Sequence, residues 1–260
     1  MICGGTKVKK IWLFIMILSL VACNPHTAQP NAAPSIKVAA AADLTHAFKE
    51  VGEQFKKETG IDVTFIFGSS GQLAEQIKQG APFDMFASAN VEYVDELVRD
   101  HVALEQTKNI YAFGRIGLAV KEGVAVTSLQ DLLKQEVKKV AIANPDHAPY
   151  GLAAKQALIK SDIWEQVKPK LVYGKNIADT LAYVESGNVE VAIVALALMK
   201  DHHLPFYLID EHMHEPIRQA VVVVKTTKHE KEAREFLTFL KGPIGTSIMK
   251  KYGFIIPEEE

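Results

Sequence analysis

Residues 36 to 42 are apolar at every position but Lys37, and they run directly into a segment whose apolar side chains recur at helical spacing: Leu44, Ala47, Phe48, Val51 and Phe55. A largely apolar run of that length reads as a buried strand, and such a strand needs helices to cover it. The alternation then repeats. Gly60 ends the first helix and residues 61–67 form a second strand. A short helix follows at 72–79, then a strand at 85–88 and a helix marked by Tyr93, Val94, Leu97 and Val98. Further strands are expected at 116–120, 140–143, 171–173, 191–195 and 220–224, with helices near 128–135, 151–160, 177–186 and 229–241. The strand–helix pattern restarts after Gly117, and the segment 220–254 is left to return to the first half. The fold class is α/β with two lobes, each a mostly parallel sheet covered by helices, and a hinge between them. Residues 36–115 with 218–260 make lobe 1, and 116–217 make lobe 2.

Composition excludes several alternatives. A chain of 260 residues that is 48% hydrophobic and 23% charged is too apolar for a disordered protein and too polar for a polytopic membrane protein. A net charge of −2 supplies no field for nucleic acid. No P-loop, GxGxxG or CxxC is present, so nucleotide and redox readings have no support.

The N-terminal segment reads as an export signal. Lys7, Lys9 and Lys10 precede an apolar run at 11–20 broken only by Ser19. The run is well short of the ~20 residues of a spanning helix and suits a signal peptide core. Leu20-Val21-Ala22-Cys23 is similar to a bacterial lipobox, in which the cysteine is acylated and becomes the first mature residue; the alternative is a free or buried thiol. Residues 1–22 are thus expected to be a signal peptide, and 23–35 a lipidated cysteine with a Pro- and Ala-rich flexible tether. Cys3 leaves with the signal, so no internal disulfide is possible. Without the three leader lysines, 26 basic residues face 31 acidic ones. The expectation is an acidic, exported protein, lipid-anchored to the cell membrane and facing outside, in a periplasm or at a cell surface.

Ligands of open α/β sheets bind beyond the carboxyl ends of the strands, where helix N-termini offer free N–H groups and a positive dipole end. Four junctions carry suitable chemistry: Ala40 to Thr45 with Asp43, Phe67 to Gly71 with Ser69 and Ser70, Asn144 to Gly151 with Tyr150, and Gly174 to Ile177. Together they can surround one small anion with N–H and O–H donors. Taken singly, Asp43, Ser69 and Ser70 are equally explained as helix caps.

The segments AAADLTHAFKEVGEQFKKETG, FGSSGQLAEQIKQGAPFDMFASAN, ANPDHAPYG and LKGPIGTSIMKKYGF, in that order, resemble the molybdate-binding proteins of bacterial ABC transporters, over about residues 36–256. The resemblance implies a two-lobed periplasmic-binding fold of type II that closes on a tetrahedral oxyanion, molybdate or tungstate, and then docks on a membrane permease. It implies a monomer with no catalysis, no cofactor and no metal beyond the oxyanion itself. Carried across, Ser70 matches a serine whose side chain and amide bind the oxyanion, and Tyr150 and Ile177 match backbone amide donors. Asp43 stands where the family usually has serine, and the family tyrosine that donates a hydroxyl from the second lobe falls on Ala195.

Asp43 is the departure that bears on the ligand. A carboxylate ~4 Å from one unit of like charge costs about 4 kcal/mol at an effective dielectric of 20, nearly a thousandfold in affinity. The alternatives are that Asp43 turns away to cap the helix at Leu44, that it is protonated and donates, that a cation such as Arg115 neutralises it, that it ligates molybdenum or tungsten directly, or that the ligand is another anion or a cationic or metal-containing complex. Tyr150 is a candidate for the hydroxyl absent at Ala195.

Other constellations are weaker. His202, His203, His212 and His214, with Asp210, Glu211 and Glu215, lack a metal-site spacing and read as a solvated connection. Gly68-Ser69-Ser70-Gly71 approaches a GxSxG nucleophile elbow, but Gln72 replaces the last glycine and no histidine is identifiable as its base, which leaves a surface-anchored hydrolase as a remote alternative.

Overall fold

The structure, a computed structural model, describes residues 34–258. The expected signal peptide, Cys23 and most of the tether lie outside the described residues. Among these, no helix is long and apolar enough to cross a membrane.

The described residues open with β1 (Ser35–Ala41), a short 3-10 turn at Ala42–Leu44, and α1 (Thr45–Thr59), then β2 (Asp62–Gly68), α2 (Ser70–Lys78), β3 (Met85–Ser88), α3 (Val91–Arg99) and β4 (Asn109–Gly114). Next come β5 (Ile116–Val120), β6 (Val140–Ala143), α4 (Pro149–Lys160), α5 (Trp164–Val167), β7 (Leu171–Gly174), α6 (Ile177–Glu185), β8 (Val191–Ala195) and β9 (Phe206–Leu208). The last elements are β10 (Ile217–Val223), α7 (Glu230–Lys241) and α8 (Pro243–Lys251).

Two five-stranded sheets result, in the orders β2-β1-β3-β10-β4 and β7-β6-β8-β5-β9. The chain passes from the first to the second between β4 and β5 and returns ahead of β10, so each sheet with its helices forms one lobe. Both sheets are mixed, with two parallel and two antiparallel pairings each, where a mostly parallel arrangement was expected. The antiparallel pairings all involve β10 or β5, the strands that enter a sheet directly from the other lobe. A chain crossing between lobes arrives without a covering helix, so it is free of the right-handed crossover that makes neighbours parallel.

Local chemistry explains the elements that build the cleft. The predicted stripe of α1 is its buried face, with Ala47, Phe48, Val51 and Phe55 inside, and Gly60 closes the helix in the left-handed conformation with its N–H on the Lys56 carbonyl. Phe48 and Phe55 meet Phe236 of α7 edge to face, at 6.1 and 5.2 Å between ring centres. Strands β5 and β8 are buried at every residue, as continuous apolar runs predict. The region expected as a helix near 128–135 is a 3-10 turn, Leu129–Leu133, opened by a Ser128–Asp131 capping box. The periodicity did not reveal β4, α5, β9 or α8.

Candidate functional site

The carboxyl ends of β1, β2, β6 and β7 converge between the lobes, and the segments following them line a small cavity. Asp43, Ser69, Ser70, Ala89, Tyr150 and Ile177 are among the residues that line it, and none of the lining residues is basic. The four junctions singled out in the sequence therefore meet at one place.

Each helix start leaves a donor there. Pro149 occupies the first position of α4 and has no N–H, so the Tyr150 amide is the first available; Ala148 supplies no side-chain cap. At α6, the Asn176 side chain accepts from Ala178 N and Asp179 N, both at 2.9 Å, and passes over Ile177. Neither the Tyr150 nor the Ile177 amide has an acceptor among the described residues. Ser70 opens α2 and is 1% exposed. Its Oγ accepts the Ala89 amide at 3.0 Å, which leaves its own hydrogen to donate into the cavity.

Ser69 is occupied differently. Its Oγ donates to the His147 carbonyl at 2.7 Å and meets His147 Nδ1 at 2.7 Å, while the Gly71 amide donates to the same carbonyl at 3.0 Å. A hydroxyl whose single hydrogen goes to the carbonyl must accept from the ring, so Nδ1 carries a hydrogen and cannot serve as a base. The contact closes lobe 1 onto lobe 2.

Asp43 turns into the site. It is 1% exposed, and Oδ2 accepts from the Tyr150 hydroxyl at 2.9 Å and from Gln219 Nε2 at 2.6 Å. Gln219 Nε2 also lies 3.1 Å from the Tyr150 oxygen. Its other oxygen, Oδ1, is buried with no partner among the described residues, as are Gln219 Oε1 and the Tyr111 hydroxyl. Burial pushes the Asp43 carboxyl up to about 6, against the pull of the hydrogen bonds from Tyr150 and Gln219. Burial and the Asp43 charge hold the Tyr150 phenol well above its ordinary value. Asp43 is no helix cap: the 3-10 turn that contains it has no side-chain cap bond, nor does α1.

Gly114 makes the triad possible. A β-carbon there would stand 2.1 Å from the Tyr150 hydroxyl oxygen. Ala195 ends β8 and brings no donor to the cavity; the Tyr150 hydroxyl is engaged with Asp43.

Arg115, one candidate for a cation that neutralises Asp43, is not among the lining residues. Its Nε and Nη2 donate to the Gly253 carbonyl at 3.2 and 3.1 Å, tying the hinge to the C-terminal segment. Among the described residues, no group of three or more His, Cys, Asp or Glu side chains is arranged to hold a metal ion. His202 pairs with Glu185 and Asp210 accepts the His212 amide, as in an ordinary connection.

Gln219 was not foreseen, although a signal exists. In β10, Ile217, Val221 and Val223 share its face and are core residues, so a fully buried glutamine interrupts an apolar period of two. A register irregularity between Gln219 and Ala220 locally breaks the pairing with β4.

Comparison with known proteins agrees with this architecture. Residues 36–255 match the family described as bacterial extracellular solute-binding protein. The chain is 35% identical to the molybdate-binding protein ModA of Rhodobacter capsulatus over 229 residues, covering 88% of this chain and 91% of the relative. It is 34% identical to the putative ABC transporter substrate-binding lipoprotein YvgL of Bacillus subtilis, covering 95% and 98%. The solved periplasmic molybdate-binding protein of Azotobacter vinelandii superposes with a TM-score of 0.82 at 29% identity, covering 86% of this chain and all of that one. With two mixed-sheet lobes, an interlobe cavity and a match across nearly all the described residues, the chain belongs to the bacterial extracellular solute-binding protein family.

Proposed function

We propose that this chain is the solute-binding component of a bacterial ABC importer, anchored by lipid at Cys23, which takes molybdate or tungstate between its lobes and delivers it to a membrane permease. The observation that carries the reading is the convergence of Ser70 Oγ and the free amides of Tyr150 and Ile177 on one small cavity between lobes. Such donors suit a compact tetrahedral oxyanion, whose charge they stabilise without a counter-ion. The names of the relatives, molybdate-binding and substrate-binding lipoprotein, support both the ligand and the anchor. Lobe 1 would comprise 36–115 with 218–260, and lobe 2 residues 116–217, closing about the hinge near Arg115. Closure around the desolvated anion presents a surface that the permease recognises, and the chain does no chemistry on its cargo.

Titration of the purified protein with molybdate, tungstate, sulfate, phosphate and divalent metals tests the reading. Submicromolar binding of molybdate or tungstate with sulfate excluded is the expected result; no response to any oxyanion overturns it. One observation favours a second reading. The unpaired Asp43 oxygen in a cavity without a basic residue suits a ligand that brings its own donor, such as a protonated oxyanion or a cationic complex.

A further inference from the structure

The cavity combines a set of anion donors with a buried carboxylate and no cation. An ionised Asp43 and a dianionic ligand cannot share it at low cost, because two like charges a few ångströms apart repel strongly even at an effective dielectric of ~20. The hydrogen bonds around Asp43 show how the conflict resolves. Both donors, the Tyr150 hydroxyl and Gln219 Nε2, go to Oδ2. A proton arriving at the carboxyl therefore belongs on Oδ1, the buried oxygen without a partner. There it turns the unpartnered oxygen of a cavity-lining residue from an acceptor into a donor, as Ser70 is.

We propose that this protein binds its oxyanion together with one proton, taken up from solution on Asp43 Oδ1, and that the protonated carboxyl then donates to an oxygen of the ligand. The step is a protonation: Oδ1 gains a hydrogen, the carboxylate becomes neutral, and the protein–ligand complex carries one negative charge fewer. Asp43 is in this sense a specificity-determining group, which admits a divalent anion only with its proton. The inference rests on the oxyanion reading above and adds to it the charge bookkeeping of the site.

Among the described residues, no other group near Asp43 can substitute for that proton. The titratable side chains against it are the Tyr150 phenol of α4 and the Tyr111 phenol of β4, both raised well above their ordinary values by burial and by the Asp43 charge, so both are neutral. From β10 comes the uncharged amide of Gln219. His46 and Lys49 of α1, Asp179 of α6 and Arg218 of β10 make no hydrogen bond or ion pair with it; the cavity end of β2 and the turn Leu196–Leu198 carry no charge, and His147 is turned to Ser69. The upward displacement of the Asp43 carboxyl by burial agrees in direction.

Calorimetric titration with sodium molybdate, in buffers of different ionisation enthalpy between pH 6.5 and 8.5, reads the proton directly, since molybdate stays a dianion throughout. Uptake of about one proton per molybdate at pH 8 is expected, with affinity falling about tenfold per pH unit above neutrality. Asp43→Asn places an N–H where the protonated carboxyl has its O–H while keeping an acceptor for Tyr150 and Gln219. It should bind molybdate at pH 8 at least as tightly as the parent, with no proton uptake and no slope. Tight binding by the parent with neither uptake nor slope overturns the inference and leaves the oxyanion reading intact. Loss of binding in a folded Asp43→Asn protein also overturns it, because the carboxylate is then needed as an acceptor. Absence of molybdate binding by the parent at every pH overturns the oxyanion reading itself, and the inference with it.

Discussion

Ser69 of the first lobe and His147 of the second are joined twice, through the His147 carbonyl and through Nδ1, both at 2.7 Å. The contact lies beside the cavity and uses no group assigned to the ligand, so it acts on the closed state of the protein. A net contribution of roughly 0.5–1.5 kcal/mol per hydrogen bond is typical. With two such bonds lost, Ser69→Ala should weaken oxyanion affinity about fivefold to 150-fold, mainly through faster release. Stopped-flow displacement checks this; an unchanged release rate would mean that closure does not depend on the contact.

Ser70 differs from its neighbour in having a hydrogen to spare. Ser70→Ala removes a donor to a charged ligand, worth roughly 1.5–3 kcal/mol, or about tenfold to 150-fold in affinity. The same change also frees the Ala89 amide, so thermal unfolding without ligand should be measured alongside. Loss of affinity far beyond the loss of stability is the expected pattern, and equal affinity by calorimetry would remove Ser70 from the site.

Much of this site is legible in the sequence because strand ends and helix starts are local features. Asp43, Ser70, Tyr150 and Ile177 each lie in or just after the loop that leaves a strand end for the next helix, and sheet geometry brings such junctions together. The partners of Asp43 are another matter. Gln219 is 176 residues away, and its role depends on β10 returning from the other lobe to pair with β3 and β4. Arg115 misled for the same reason: a basic residue in a hinge suggests a counter-ion, whereas its guanidinium found the Gly253 carbonyl, 138 residues on. Strand β9 escaped notice because it has only 3 residues, and β4 because it lies at a sheet edge, where its mix of buried and half-buried positions follows no clean period.

Replacing Arg115 separates its two possible roles. Arg115→Ala deletes two donors to the Gly253 carbonyl and should lower stability by about 1 kcal/mol. Because the side chain does not line the cavity, oxyanion affinity should stay within about threefold. A fall of a hundredfold or more at low salt, relieved by added salt, would return Arg115 to the role of a counter-ion.

Gly114 offers a steric test of the Tyr150 position. A methyl group at 114 would overlap the phenol, at 2.1 Å from the oxygen and 2.9 Å from Cζ. Gly114→Ala should cost about 1–3 kcal/mol of stability, as overpacking of a closed interior usually does. Adding Tyr150→Phe removes the overlapping oxygen, so the double variant should recover part of that loss relative to Tyr150→Phe alone. A strictly additive double-mutant cycle would mean that the two residues do not meet in solution.

Asp43 also makes a claim on stability, with a definite sign. Its carboxyl is raised from the ordinary 3.8 to about 6, so between those values the folded protein holds more protons than the unfolded chain. Stability from this group is thus greatest below pH 4, falls as pH rises through 6 and is level above. The ionised carboxylate costs about 3 kcal/mol at neutral pH, since one pKa unit corresponds to about 1.4 kcal/mol. Asp43→Asn is uncharged at every pH and keeps an acceptor for Tyr150 and Gln219. Its urea midpoint without ligand should exceed that of the parent at pH 8 and converge with it near pH 4. If the parent is the more stable at pH 8, the ionised carboxylate is held by interactions stronger than its burial, and the direction of the shift is reversed.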